Sequence, residues 1–223
     1  MEALQKLTLY IHILAGFTAL TVGLIPMFAK KGGKLHINAG RIYVWAMYLV
    51  SSSALVTYII KPYRPFLLFL AFIGIFSFYL TYTGVQATKQ KKEILPTLND
   101  WIISGIGLLA GICMIGLAVW NFTAGNTSFA ILYAVFGVFY ARIASHDLQV
   151  YRKKAIPEKT AWFFLHMGRI MGAYLATLTA FCVVNAAKVE FIPPLVAWIA
   201  PGVIGGIGIG VWTRYYRKKM KVA

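Results

Sequence analysis

The sequence predicts an all-α, polytopic membrane protein: a seven-transmembrane-helix bundle with its N-terminus outside and its C-terminus cytoplasmic. Three observations carry this. Hydrophobic residues make up 60% of the 223 residues and the mean hydropathy is +0.72, too apolar for a soluble domain of this length. Seven apolar runs each exceed the ~18 residues that mark a membrane span. Lysine and arginine fall in the short segments between the runs, mostly on one side.

The first run is Leu4 to Phe28. It lacks the basic start, short apolar core and small-residue cleavage site of a secretory leader, so it is expected to remain as a span. The others run from Leu35 to Ile60, Phe66 to Ala87, Trp101 to Phe122, Ser128 to Leu148, Ala161 to Ala187 and Pro194 to Tyr216. At 1.5 Å per residue each crosses ~30 Å of hydrocarbon. Span interruptions are expected to be few: Pro193, Pro194 and Pro201 affect only the start of the seventh.

Orientation follows from the basic residues. The loops after spans one, three and five and the C-terminal tail hold fifteen: Lys30, Lys31, Lys34, Lys89, Lys91, Lys92, Arg152, Lys153, Lys154, Lys159, Arg214, Arg217, Lys218, Lys219 and Lys221. The opposite side holds Lys6, Lys61, Arg64 and Lys188, and that imbalance places the crowded side in the cytoplasm. The formal charge of +16 would suggest nucleic acid in a soluble protein. Placed between spans, it points to the lipid bilayer and anionic headgroups, with no nucleic acid.

Small residues recur every four positions at Gly202, Gly206 and Gly210, at Gly168, Gly172 and Ala176, and at Gly137, Ala141 and Ser145. Gly107 and Gly111 do the same in span four. Such rows let helices approach closely in lipid. His12, Gly16, Ala19 and Gly23 share a face of span one, which predicts His12 against a neighbouring helix. Cys113 and Cys182 have no partner at metal-ligand spacing and read as buried, reduced thiols. His36 and His166 both open spans in the same direction, so spans one to three and five to seven read as a weak internal repeat within one transmembrane domain.

The chemistry-bearing residues gather at the cytoplasmic span ends. His36, His146 and His166 lie there, with Asp100, Asp147, Arg41, Arg142 and Arg169. Ionisable groups at that depth are costly and mark a functional site by default. Arg142, His146 and Gln149 share one helix face, and His166, Arg169, Ala173 and Thr177 another. Arg41 follows His36 by five residues, so only one of the two can face a common site.

Three chemistries fit this set. A b-type haem would take His166 with His36 or His146 as axial ligands, while arginines pair its propionates. Arg169 and Arg142 would hold those propionates or the oxygens of a quinone, with Arg41 as a further cation. Zinc is the alternative: His36, His146 and His166 with Asp100 or Asp147 would make a three-histidine-plus-carboxylate centre for an intramembrane hydrolase. No HExxH pair is present, so such ligands must come from separate helices. A small-solute transporter is the third reading, with the arginines binding an anion. Only His12 lies in the outer half, which excludes a second bis-histidine haem. Span seven has no lysine for a retinal Schiff base, and there is no nucleotide-binding glycine loop.

The pattern His12-Ile-x-x-Gly16, then Gly23, Leu35-His36 and Gly40-Arg41-Ile42-Tyr43 resembles a domain-of-unknown-function family of multi-pass bacterial membrane proteins. The likeness covers roughly the first fifty residues. It implies that His12, His36, Gly40, Arg41 and Tyr43 belong to one motif, and it implies a bacterial inner-membrane location. It implies no activity. The two-haem cytochrome b proteins are a looser likeness, and this chain departs from them in lacking histidine pairs at two depths.

Overall fold

The computed structural model describes residues 2–62, 64–153, 159–186 and 193–220. Lys154, Ala187, Lys188 and Lys221, used in the sequence reading, lie outside these. The described residues form eight α-helices: α1 (Glu2–Val22), α2 (Leu24–Phe28), α3 (Lys34–Ile60), α4 (Pro65–Lys89), α5 (Leu98–Thr123), α6 (Thr127–Lys153), α7 (Ala161–Ala186) and α8 (Pro194–Lys219). Among them are seven candidate membrane spans, with α1 and α2 together making the first.

Span one was expected to be a single helix, and it is interrupted at Gly23. The cause is Pro26, which has no N–H to bond the carbonyl of Val22, four residues back, and crowds it. A Cβ at Gly23 would stand 2.5 Å from the Ala19 carbonyl oxygen and within 2.9 Å of the rings of Tyr43 and Tyr174. The missing side chain therefore admits rings from α3 and α7. The Tyr174 hydroxyl donates to the Leu20 carbonyl at 3.0 Å, tying α7 to this break.

Helix α4 is the hub. It packs on α3, α5 and α7, and 56% of its apolar window is buried, against 11% for α8. At one end of the bundle, Phe69 of α4 stands edge-on to Phe129, Tyr133 and Phe136 of α6 and to Trp198 of α8. Edge-to-face packing of this kind adds ~0.5–1.5 kcal/mol per pair beyond area burial. The other end carries the lysine-rich loops and is called the basic end below.

The α5–α6 pair meets as its small residues predict. A Cβ on Gly111 would lie 2.6 Å from the backbone nitrogen of Ala141, and one on Gly137 would lie 2.9 Å from Met114 Cβ. The α8 row does not. Gly202, Gly206 and Gly210 have nothing within 4 Å of an added Cβ, and Gly205 is the glycine pressed against Leu175 of α7. In the α7 row, Gly172 contacts Leu80 of α4 and Gly168 faces open space. Replacing Gly206 by alanine is therefore expected to leave the melting temperature in detergent unchanged or raised, by no more than the ~1 kcal/mol helix-propensity gain. A marked loss of stability would show that this face is covered.

Candidate functional site

At the basic end, α4, α6 and α7 bring three polar side chains together inside the bundle. Arg169 Nη2 donates to Asp147 Oδ1 at 2.6 Å, and the Tyr79 hydroxyl donates to Asp147 Oδ2 at 2.5 Å. The Arg169 guanidinium also lies over the Tyr79 ring, 5.6 Å from its centre. Asp147 and Arg169 are 6% and 7% exposed. Charges this deep persist only when paired and hydrogen-bonded. Among the described residues three buried side-chain polar atoms have no hydrogen-bond partner: Arg169 Nη1 and Ser104 Oγ, and Ser51 Oγ on α3. Gly84 lets α7 come this close, because a Cβ there would meet Arg169 Cβ and Ile170 at 3.0 Å.

Helix position alone predicts inward roles for His146 and Arg142, as ligand and anion partner. They do share a face with Gln149, but all three are exposed. His146 has a side chain 68% exposed and only grazes Asp147, at 3.7 Å. Asp147, one residue and 100° further round α6, is the group that turns inward. On α3, His36 is half-buried and Arg41 is exposed, the exclusive choice that their five-residue offset requires.

Asp100 is 1% exposed and saturated. Its Oδ2 accepts from the Thr97 N–H at 2.7 Å and the Thr97 hydroxyl at 2.8 Å, as part of a capping box that starts α5. Its Oδ1 accepts from the Tyr82 hydroxyl at 2.9 Å, and Gln86 Nε2 donates to that hydroxyl in turn. Both carboxylates considered for zinc are thus occupied by protein donors. Among the described residues no three His, Cys, Asp or Glu side chains converge to hold a metal ion. Cys113 and Cys182 are free thiols, and Cys113 is exposed rather than buried.

His36 of α3 and His166 of α7 face each other, with ring centres 6.4 Å apart and planes at 65°. His36 Nδ1 lies 3.0 Å from the Pro26 carbonyl oxygen, and His166 Nδ1 lies 2.8 Å from that of Gly84. A carbonyl only accepts, so each Nδ1 carries a hydrogen, and in the neutral ring each Nε2 keeps its lone pair. The Pro26 carbonyl is available because α2 ends two residues later, leaving its last carbonyls without helical partners. Lys31 fills the same role, donating to Pro26 O at 2.9 Å and Met27 O at 2.6 Å, with its ammonium over the Trp212 ring. Burial pushes the Lys31 ammonium below its ordinary pKa. Lys91, from the α4–α5 loop, sits over the Trp162 ring.

His12 is placed elsewhere. Its Nδ1 lies 2.9 Å from Ser53 Oγ. Ser53 follows His36 by seventeen residues on α3, which is ~25 Å along the axis. An apolar cavity of about 450 Å³ among Phe66, Phe129, Leu132, Val183 and Trp198 is also at the far end. Sequence reasoning missed Tyr79, Ser104, Gly84, Pro26 and Lys31. Signals existed for two of them: a proline inside an apolar run, and the Lys30-Lys31-Gly32 sequence that closes a helix.

Together these features define an all-α, seven-span membrane bundle with a buried ionic pair and two carbonyl-held imidazoles at one end. The chain belongs to the family described as "Predicted membrane protein (DUF2306)", which it matches over residues 9–144. That stretch includes His12, His36, Tyr79, Gly84 and Asp100, and it stops short of Asp147, His166 and Arg169. No curated protein and no solved structure matches the chain.

Proposed function

We propose that this protein binds a b-type haem between α3 and α7 and serves membrane redox chemistry, with His36 and His166 as axial ligands. The observation that carries this reading is the pair of imidazoles, each with Nδ1 bonded to a backbone carbonyl and Nε2 available. This is the second-coordination arrangement typical of ligating histidines, where the bond at one nitrogen fixes the ring and raises the basicity of the other. Two imidazoles on opposite sides of one metal, each bonded at about 2.0–2.1 Å, have ring centres ~6–6.5 Å apart. The observed 6.4 Å agrees.

Ligand number separates haem from zinc. A structural or catalytic zinc takes three or four protein ligands, whereas a porphyrin supplies four nitrogens and leaves two axial positions. Two histidines with no third ligand group beside them among the described residues match the second case. A quinone is favoured less, because its carbonyl oxygens accept hydrogen bonds and the neutral rings have no N–H left to give. When bound, the iron would supply one-electron chemistry. The protein's part is to hold the two rings and keep the charged pair Asp147–Arg169 one turn below His166. In this reading the basic end is the cytoplasmic one, in a bacterial inner membrane, with its lysines against anionic headgroups.

The test is the visible spectrum of the purified protein, as isolated and after addition of haemin, before and after reduction. A low-spin haem spectrum is expected, lost in His36→Ala and in His166→Ala and kept in His12→Ala and His146→Ala. A wild-type preparation that stays colourless with haemin, or that carries about one zinc per chain, overturns the reading.

A further inference from the structure

We propose that Lys31 and Lys91 are the cations that hold the carboxylates of the ligand bound at the histidine pair; this rests on the haem reading. The three arginines of the sequence reading do not serve. Arg41 and Arg142 point away from the pair: Arg41 is five residues from His36 on α3, and Arg142 shares the exposed face of α6 with His146. Arg169 bonds Asp147 and stands three residues deeper on α7 than His166, ~4.5 Å along the axis.

Lys31 is placed differently. Its ammonium and the His36 ring bond the same oxygen, the Pro26 carbonyl, so the cation is fixed beside the imidazole. The side chain is half-buried and held over Trp212, whose ring is in turn edge-on to Phe28. An ammonium has three donors and the α2 carbonyls take two, leaving one N–H for an acceptor. Lys91 comes from the α4–α5 loop and is exposed. Its ammonium lies 4.4 Å from the centre of the Trp162 ring, four residues before His166. Two cations from two loops therefore stand by the imidazole pair, Lys31 sharing a carbonyl with His36 and the exposed Lys91 over a ring one turn before His166. A rigid planar ligand with two carboxylates along one edge has the matching charge pattern, and haem is such a ligand.

The test is titration of the full-length apoprotein in detergent with haemin and, separately, with haemin dimethyl ester, whose carboxylates are masked. Lys31→Gln removes the charge and keeps an N–H donor for the α2 carbonyls, on a side chain one bond shorter. Lys31→Gln and Lys91→Gln are each expected to weaken haemin binding about tenfold, the lower end for a charge-assisted hydrogen bond. Lys31→Arg should restore most of it, and the ester should bind wild type and both variants alike. Haemin binding unchanged in the variants, with a normal wild-type spectrum, overturns this proposal and leaves the haem reading standing. Equal weakening for haemin and ester assigns the lysines a purely structural role and also overturns it. A wild type that binds neither compound removes the haem reading itself, and this assignment with it.

Discussion

Replacing Arg169 by leucine is expected to destabilise the protein by about 3–5 kcal/mol, the usual result of breaking a buried ion pair from one side. The loss comes less from the bond removed than from what remains. Asp147 would keep only the Tyr79 hydroxyl as a donor, while its second oxygen stayed buried without a cation. Water cannot reach it easily, since both residues are over nine-tenths buried. Removing both charges should be far milder. Arg169→Leu with Asp147→Leu leaves only Tyr79 and Ser104 with unmet hydroxyls, and adding Tyr79→Phe should recover more, because apolar replacement of all partners is nearly neutral. Melting in one detergent checks the series. A fall of roughly 10 °C is expected for the single variant of a chain this long. If Arg169→Leu melts with wild type, or if the double variant is worse than the single, the pair is not the buried ionic contact described.

Gly111→Ala should rank next, at about 1–3 kcal/mol and above that for valine. The obstruction is backbone: the new methyl would stand 2.6 Å from Ala141 N and 2.9 Å from its Cα. A side chain could rotate aside, but a helix backbone has to move bodily, and α5 would be levered from α6 along the whole seam. Gly116, also on α5, has nothing within 4 Å and is the control. Gly116→Ala should keep or slightly raise the melting temperature, since alanine is the better helix former. Equal effects at the two positions would mean that the α5–α6 approach is looser than described.

Much of this architecture can be read from residues because lipid imposes simple rules. Run length sets the spans, and the Gly107, Gly111, Gly137 and Ala141 spacing marks a close seam that the structure contains. The same spacing in α8 marks nothing, since small residues permit approach without supplying a neighbour. The choice between His36 and Arg41 follows from helical phase. The choice between His146 and Asp147 does not, because adjacent polar residues differ by 100° and the sequence holds no origin from which to measure it. Tyr79 is hidden for another reason: in an aromatic-rich span its hydroxyl looks like one more ring until Asp147 and Arg169, 68 and 90 positions later, are seen against it.

That separation along the chain bears on how the protein is made. The hub helix α4 finds its polar partners on α5, α6 and α7. A ribosome emits Tyr79 and Gly84 well before His166 and Arg169, so α4 enters the bilayer with its tyrosine hydroxyls facing lipid or translocation machinery. The α5–α6 hairpin, closed by a short turn through Gly125, can settle meanwhile on its own glycine seam. Completion of the site then waits on the docking of the penultimate long helix, and a chain arrested before it would expose to cellular quality control the polar groups that mark it as unfinished.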